Sequence, residues 1–311
     1  MDSIFGAAVR TRNSLYDHGV FRAQRLHGVV ISVGNLSVGG SGKTPFVILL
    51  GELLKARGIK FDVLSRGYKR KSKEITLVDP NGSPEQFGDE PLLIARRLEI
   101  PVIVGPNRYQ AGTFSETKFG PRLHILDDGF QHRALARDFD IVLISLEDAQ
   151  DRLLPAGRLR EPIDSLKRAD AVVFTNDNRI NSLHLRGKTT WNVRRGIVGN
   201  GVPPKPVVFC GIAKPHSFVS QLKAEGIEPA AEKFYRDHHA YTEQDINHLL
   251  QLRQDSGAGG FVTTEKDAIN LGPRLSKLQP IAIISVTMIL ENADNALDTM
   301  FRVIEDRKHR A

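Results

Sequence analysis

The stretch SVGNLSVGGSGKTP, residues 32–45, runs from an apolar segment into an apolar-periodic one through Gly39, Gly40, Ser41 and Gly42, followed at once by Lys43 and Thr44. A strand, a Gly-rich turn and Gly-Lys-Thr at a helix start make a complete anion site. Backbone N–H groups and the helix N-terminus face the phosphates, glycine lets the chain approach closely, Lys43 adds a point charge and Thr44 a hydroxyl for Mg²⁺. The strict spacing of such loops asks for glycine at position 37, where this chain has Ser37; the paired Gly39 and Gly40 turn the chain instead, as in GGxGK[ST] variants. ATP or GTP binding is the inference the residues carry best.

Outward from the loop, apolar runs of strand length alternate with longer periodic segments: GVVISVG, KTPFVILLGELLKARG, FDVLS, IPVIVG, RLHILDD, FDIVLISL and ADAVVFTN. This alternation predicts a parallel sheet covered by helices, and unbroken apolar runs such as VVISV and IVLI predict strands buried on both faces. LHILDDGF ends one strand in Asp127 and Asp128, at the carboxyl end of the sheet where such folds hold ligands. Hard divalent cations take oxygen ligands, so these acids suit Mg²⁺ or its waters, or else cap a turn.

Near Asn178 the pattern gives way to polar, Gly- and Pro-containing sequence with room for a short β-ribbon, and a second α/β series starts at KPVVFCGIAKP. The expected division is an amphipathic segment over 1–27, a nucleotide-binding domain over 28–180, a linker over 181–205 and a second α/β domain over 206–311. At 311 residues, two domains or one large α/β unit are both reasonable.

With 41% hydrophobic and 25% charged residues the composition is that of a folded soluble protein, and no apolar stretch approaches bilayer length. The single cysteine, Cys210, rules out an intramolecular disulfide and fits a reducing cytosol; no secretory signal precedes the first strand. A net charge of +7 favours an anionic partner. Two basic segments stand out. Residues 1–27 set Ile4, Phe5, Ala8, Leu15 and Tyr16 near one helix side amid arginines, as in an interfacial helix or one packed on its own domain. SRGYKRKSK, residues 65–73, is either a solvated loop or a phosphate-facing one. Its only aromatic is Tyr68, and no nucleic-acid-reading motif accompanies it, so nucleic acid is not expected as a partner.

The ordered set VGNLSVGGSGKTP, FGDEP, DDGFQHR, LPAGRLREP, DHHAYTEQD and VTTEKDAINL resembles the tetraacyldisaccharide 4'-kinase family over most of the chain. The resemblance implies a P-loop-type α/β/α sandwich with a mostly parallel sheet, a smaller second α/β/α domain, and a two-stranded linker between them. It implies a peripheral enzyme of the cytoplasmic face of the bacterial inner membrane, with no obligate protein partner. Such an enzyme moves the γ-phosphate of ATP to the 4'-hydroxyl of a tetraacylated glucosamine disaccharide 1-phosphate, in the making of lipid A. An acceptor with four acyl chains stays in the bilayer, which favours the interfacial reading of residues 1–27.

Carried over by motif, the resemblance implies Asp89 as catalytic base paired with His238, and a nucleotide site of Gly39, Gly40, Ser41, Gly42, Lys43, Thr44, Asp127, Asp128, His132, Arg160 and Glu161. Arg133 would line the same cleft, and Thr44, Glu90 and Asp128 would serve Mg²⁺. Without the resemblance, Asp89 and Glu90 before Pro91 read as a helix start. Asp237, His238 and His239 read as a solvated turn, and which histidine meets Asp89 stays open. TTEKD, residues 263–267, follows a strand and receives no chemistry. The alternative is a P-loop ATPase switch of the partitioning or metal-insertion type, though those loops commonly carry a lysine where this chain has Val38.

Overall fold

The computed structural model describes residues 4–175, 185 and 187–309. The expected boundary near Asn178 and the first part of the expected linker lie outside the described residues. Helix α1 (Ile4–Asp17) precedes strand β1 (Val30–Asn35), and the phosphate-loop segment leads into α2 (Lys43–Ala56). Then come β2 (Phe61–Ser65), β3 (Thr76–Leu77), α3 (Pro84–Phe87), α4 (Asp89–Leu98), β4 (Val102–Val104), α5 (Arg108–Phe119) and β5 (Leu123–Asp127). Next are β6 (Phe139–Ile144), α6 (Leu146–Ala149), β7 (Ala171–Phe174), β8 (Thr189–Val198), β9 (Val207–Cys210), α7 (Pro215–Ala224) and β10 (Ala231–Phe234). The chain closes with α8 (Glu243–Ser256), β11 (Phe261–Thr264), α9 (Glu265–Leu271), β12 (Ile281–Leu290) and α10 (Ala293–Lys308).

The strands form one mixed sheet in the order β10-β9-β11-β12-β8-β7-β6-β1-β5-β2-β4-β3. All neighbours are parallel except β3 with β4 and β8 with β12. The unbroken apolar runs behave as expected: β1, β2, β5 and β6 are buried at every position. Because β1 lies between β5 and β6 while the chain leaves it for β2, the strand order reverses at its carboxyl end and opens a crevice there. A second reversal falls at β9, between β10 and β11.

Strands β8 and β12 carry the sheet from one half to the other. The start of β8 pairs in parallel with β7 (Ala171↔Thr189 to Phe174↔Asn192), and the start of β12 with β11. Their remaining lengths pair with each other antiparallel, from Val193↔Leu290 to Ser285↔Val198. Among the described residues of the expected linker only β8 is a strand; its antiparallel partner is β12, from the second series, so the ribbon expected within 181–205 is built from two distant segments of ten residues each.

The terminal helix departs from the expected division. Although it follows the second α/β series, α10 puts Ala296, Leu297, Met300 and Ile304 into the same apolar cluster as Ile31, Val47, Leu50 and Phe139 of the first half. Its polar edge is tied there as well, by Arg57 to Asp294 at 2.9 Å and Asp298 at 2.6 Å. The helix's apolar stripe packs beside α2 and α4 on one side of the first half's sheet, so sequence order misassigns it.

At Gly34, in β1 just before the loop, an added Cβ would lie 2.6 Å from Phe130 Cβ and 2.8 Å from the Phe130 backbone N. Neither neighbour is a flexible side-chain tip, so Gly34→Ala must displace the turn after β5. Chemical denaturation is expected to register a loss of about 1–3 kcal/mol. An unchanged midpoint would show that the turn yields freely.

Candidate active site

The phosphate loop forms as its residues require. Gly42 takes φ +82° as the N-cap of α2, a conformation that favours glycine, and a Cβ there would meet only the flexible tip of Met288 of β12, at 2.7 Å. Val38 N–H donates to the Arg158 carbonyl at 2.8 Å, which pins the loop's entry. The loop's outer side faces the second half: the Cβ built at Gly40 lies 3.4 Å from Ala213, and the next residue, Lys214, reaches Glu147 at 2.6 Å. Gly39 and Gly40 stay exposed, Ser41 and Lys43 half-buried, and Thr44 is buried at the second position of α2.

Lys43 Nζ donates to Asn35 Oδ1 at 2.9 Å and pairs with Asp128 Oδ1 at 3.5 Å. Arg160 grips Asp128 with both arms, 2.9 Å and 2.8 Å, and also donates to the Asn35 side chain. Asp128 holds the left-handed conformation, φ +51°, in making these contacts. Burial alone would raise its pKa, but Lys43 and Arg160 outweigh burial and hold it far below the carboxylate range.

Asp127 is the opposite case. Burial, then Glu90 and then Asp128, push its pKa up to about 7. Its Oδ2 accepts from Ser65 at 2.9 Å while Oδ1 is buried with no hydrogen-bond partner. Arg108, at the start of α5, is buried and lowered to about 10 by that burial; its Nε also lacks a partner, and Asp127 and Asp128 lie within its field. A carboxylate oxygen and a guanidinium N–H left open in one crevice suit a cation and an anionic oxygen. Asp128 is already gripped by two cations, whereas Asp127, beside Glu90, keeps an open oxygen.

Across the crevice, His238 Nδ1 lies 2.7 Å from Asp89 Oδ2, joining the first residue of α4 to the loop after β10. His239 faces away, 3.0 Å from Asp245 and stacked on Tyr235. His238 sits at φ +58°, its N–H donating to the Gly211 carbonyl at 3.1 Å, with Tyr68 5.4 Å away ring to ring. Asp89 is only 5% exposed. Burial raises its pKa, and hydrogen bonding from His238 with the charge of Lys266 more than reverses this, leaving it lowered.

Two neighbours come from the TTEKDAINL stretch that received no chemistry from sequence. Lys266 Nζ lies 3.2 Å from His238 Nε2, 3.1 Å from Asp237, 3.6 Å from Glu90 and 3.8 Å from Asp89. Asn270, one turn on in α9, donates to Asp89 Oδ2 at 3.2 Å. The i, i+4 spacing of a lysine and an asparagine behind a strand was the available signal, but nothing local says which helix it faces.

Two expected cleft residues hold α1 instead. Glu161 is 0% exposed and accepts from Asn13 at 2.8 Å, Arg12 at 3.3 Å and Arg168 at 2.5 Å, so it has no face left for a nucleotide. Arg133 donates to the Asn13 carbonyl and to Asp17, and covers the Tyr16 ring at 4.9 Å. His132 is half-buried among arginines.

A Gly-rich loop opening a helix, paired acids on the adjacent strand and a carboxylate–imidazole pair facing them define a P-loop phosphotransferase. The family model for tetraacyldisaccharide-1-P 4'-kinase matches residues 1–304. The tetraacyldisaccharide 4'-kinase of Koribacter versatilis is 50% identical, over 99% of each chain, and that of Aquifex aeolicus 38% identical over 86% of this chain and 87% of its own. A crystal structure of the Aquifex aeolicus enzyme in complex with ATP superposes with a TM-score of 0.80, at 34% identity and 97% coverage of both chains. The chain belongs to the tetraacyldisaccharide 4'-kinase family and is an ATP-dependent kinase of lipid A biosynthesis; the ATPase-switch alternative is not favoured.

Burial first, then Arg108, Arg137, Arg66 and Arg12, lower His132 to about 4 from 6.5. Between those values the unfolded chain binds the proton and the folded one does not, so this residue's contribution falls as pH falls from about 6.5 to about 4. Urea titrations of His132→Gln across that window are expected to show a flatter acid arm than the parent. An identical slope would mean the ring protonates without resistance.

Proposed function

We propose that the enzyme transfers the γ-phosphate of ATP to the 4'-hydroxyl of a tetraacylated glucosamine disaccharide 1-phosphate, with Asp89 as the base. The observation that carries this reading is the 2.7 Å contact of Asp89 with His238, reaching across the crevice that also holds Lys43, Asp127 and Asp128. Phosphoryl transfer runs through a loose transition state, so the protein's work is positioning, charge neutralisation and late acceptance of one proton. Lys43 and the loop N–H groups bind the phosphates, and Arg108 offers its open Nε–H to an equatorial oxygen. Asp89, kept ionised by His238, Asn270 and Lys266, accepts the proton of the sugar hydroxyl.

Glu90, Asp127 and Thr44 would hold Mg²⁺, which when bound neutralises charge on the phosphates. Among the described residues no three His, Cys, Asp or Glu side chains form a ready-made metal site. That suits Mg²⁺, which takes one or two carboxylates and completes its shell with waters and substrate phosphates.

The reading divides the chain into a nucleotide-binding unit over 28–180 and a second unit from 206, joined through β8 and β12, with α10 returned to the first. It sets the enzyme at the cytoplasmic face of the inner membrane as a peripheral protein. Among the described residues no helix is long and apolar enough to cross a bilayer. Support for attachment comes from exposed apolar residues at both ends of α1: Ile4, 91% exposed, at its start, and Val20 at 64% and Phe21 at 44% in the turn after it. Arg22 follows Phe21 directly; each basic side chain near anionic lipid adds about 1 kcal/mol.

In a lipid-acceptor assay with mass detection, Asp89→Asn is expected to lower kcat by about 10²–10⁴-fold with ATP affinity little changed. Lys43→Ala is expected to weaken ATP binding as well. Turnover of Asp89→Asn at the parent rate would remove Asp89 from its role.

Attachment is tested separately, because deleting α1 would strip Glu161 of two of its three partners. Ile4→Asp combined with Phe21→Asp leaves that clamp intact and is expected to lower cosedimentation with anionic vesicles, with ATP binding retained. Undiminished cosedimentation would refute attachment through these two residues.

A further inference from the structure

We propose that Lys266 is a positioning residue for phosphoryl transfer: its ammonium donates to His238 Nε2 and so fixes the imidazole in the tautomer whose Nδ1–H faces Asp89. The inference rests on the reading of Asp89 as the base, and it extends the site to the one motif that sequence left without chemistry.

The argument is one of donors and acceptors. An ammonium has three N–H donors and no acceptor, whereas a neutral imidazole has one of each. Lys266 Nζ stands 3.2 Å from His238 Nε2, so that nitrogen must present its lone pair and the ring proton must sit on Nδ1. Nδ1 lies 2.7 Å from Asp89 Oδ2, where an N–H stabilises a carboxylate and a lone pair would repel it. Asp237 would favour the opposite tautomer, but its Oδ2 is 3.7 Å from Nε2, beyond hydrogen-bond reach, and its Oδ1 is engaged by Lys266 itself at 3.1 Å. A charged neighbour that selects a histidine tautomer is the logic of the Ser-His-Asp triad, here run with a cation on the far nitrogen.

The surrounding fold holds Lys266 to this geometry. Thr264 caps α9, and the buried Asp267 accepts from Thr264 Oγ1 at 2.5 Å, Gly211 N–H at 2.7 Å and Tyr241 Oη–H at 2.8 Å. Gly211 in turn accepts from the His238 N–H, so one carboxylate anchors both the helix carrying Lys266 and the loop carrying His238. Arg97 of α4 bonds Glu265 at 2.9 Å, fixing α9 against the helix that begins with Asp89. The lysine, the imidazole and the carboxylate are therefore held from three different elements.

Nitrogen-15 NMR of histidine-labelled enzyme tests the proposal, first in the parent enzyme and then in Lys266→Met. With the His238 signals assigned by their loss in His238→Asn, Nδ1 is expected to carry the proton and Nε2 to be bare. In Lys266→Met the proton is expected to populate Nε2. A protonated Nε2 in the parent enzyme, or an unaltered tautomer in Lys266→Met, would overturn the idea.

Kinetics give the second arm. Lys266→Met is expected to lower kcat by about 10–100-fold, with KM for ATP within about twofold. His238→Asn keeps an N–H near the Nδ1 position and has no tautomer to select, so in that background Lys266→Met is expected to cost less than about threefold. Equal losses in both backgrounds would make Lys266 a structural residue and end the proposal while leaving Asp89 untouched. Conversely, full turnover by Asp89→Asn alongside coupled Lys266 and His238 losses would unseat the base and keep the Lys266–His238 contact.

Discussion

Four carboxylates share one crevice, Asp89 and Glu90 from the start of α4 and Asp127 and Asp128 from the end of β5, and their mutual repulsion is the constraint the rest of the site answers. Water answers it poorly, because Asp89 and Asp127 are buried. Each acid therefore has its own arrangement. Asp128 is held by Lys43 and Arg160, Asp89 by His238, Asn270 and Lys266, and Glu90 shares Lys266. Asp127 alone has no cation in direct contact, and its raised pKa records that deficit. On the proposed reading, this one unanswered acid beside the phosphate loop is where a cation would enter with the nucleotide.

That arrangement divides labour between the halves of the sheet. The first half contributes the anion-binding loop and the acids, which any P-loop protein needs. The second contributes His238, Lys266 and Asn270, all gathered at Asp89, the proposed base for an alcohol acceptor. The antiparallel run of β8 against β12 is continuous hydrogen-bonded sheet, so the relation between the halves is set by strand register. Met288 of β12 against Gly42 gives the same conclusion at side-chain level.

What could be read from sequence follows from how local each feature is. The loop was legible because strand, glycines, lysine and helix start are consecutive, and Asp127 and Asp128 because they end an apolar run. Asp89 and His238 lie 149 residues apart, and no periodicity joins them; only the resemblance of ordered motifs did. Lys266 was in plain view within TTEKD, yet its meaning depends on α9 packing along α4, which no pattern within either helix reveals. Glu161 and Arg133 were misread for a related reason. A charged residue beside a catalytic motif looks like a site residue until burial shows it holding another helix.

The same clamp explains why α1 has two unlike ends. Arg12, Asn13 and Asp17 are locked to Glu161 and Arg133, and these two follow directly on Arg160 and His132 of the crevice. At the other end, its start, Ile4 is exposed, whereas Phe21, just past the clamped end, packs edge-on against Tyr16 while remaining exposed. An interfacial helix hung on a flexible linker would bring the enzyme to the bilayer without orienting it. On the attachment proposed above, a helix whose clamped end is bonded beside Arg160 and His132 would fix the angle between membrane surface and crevice. For an acceptor that keeps its acyl chains in lipid and offers only a sugar hydroxyl, that angle decides whether the hydroxyl reaches Asp89.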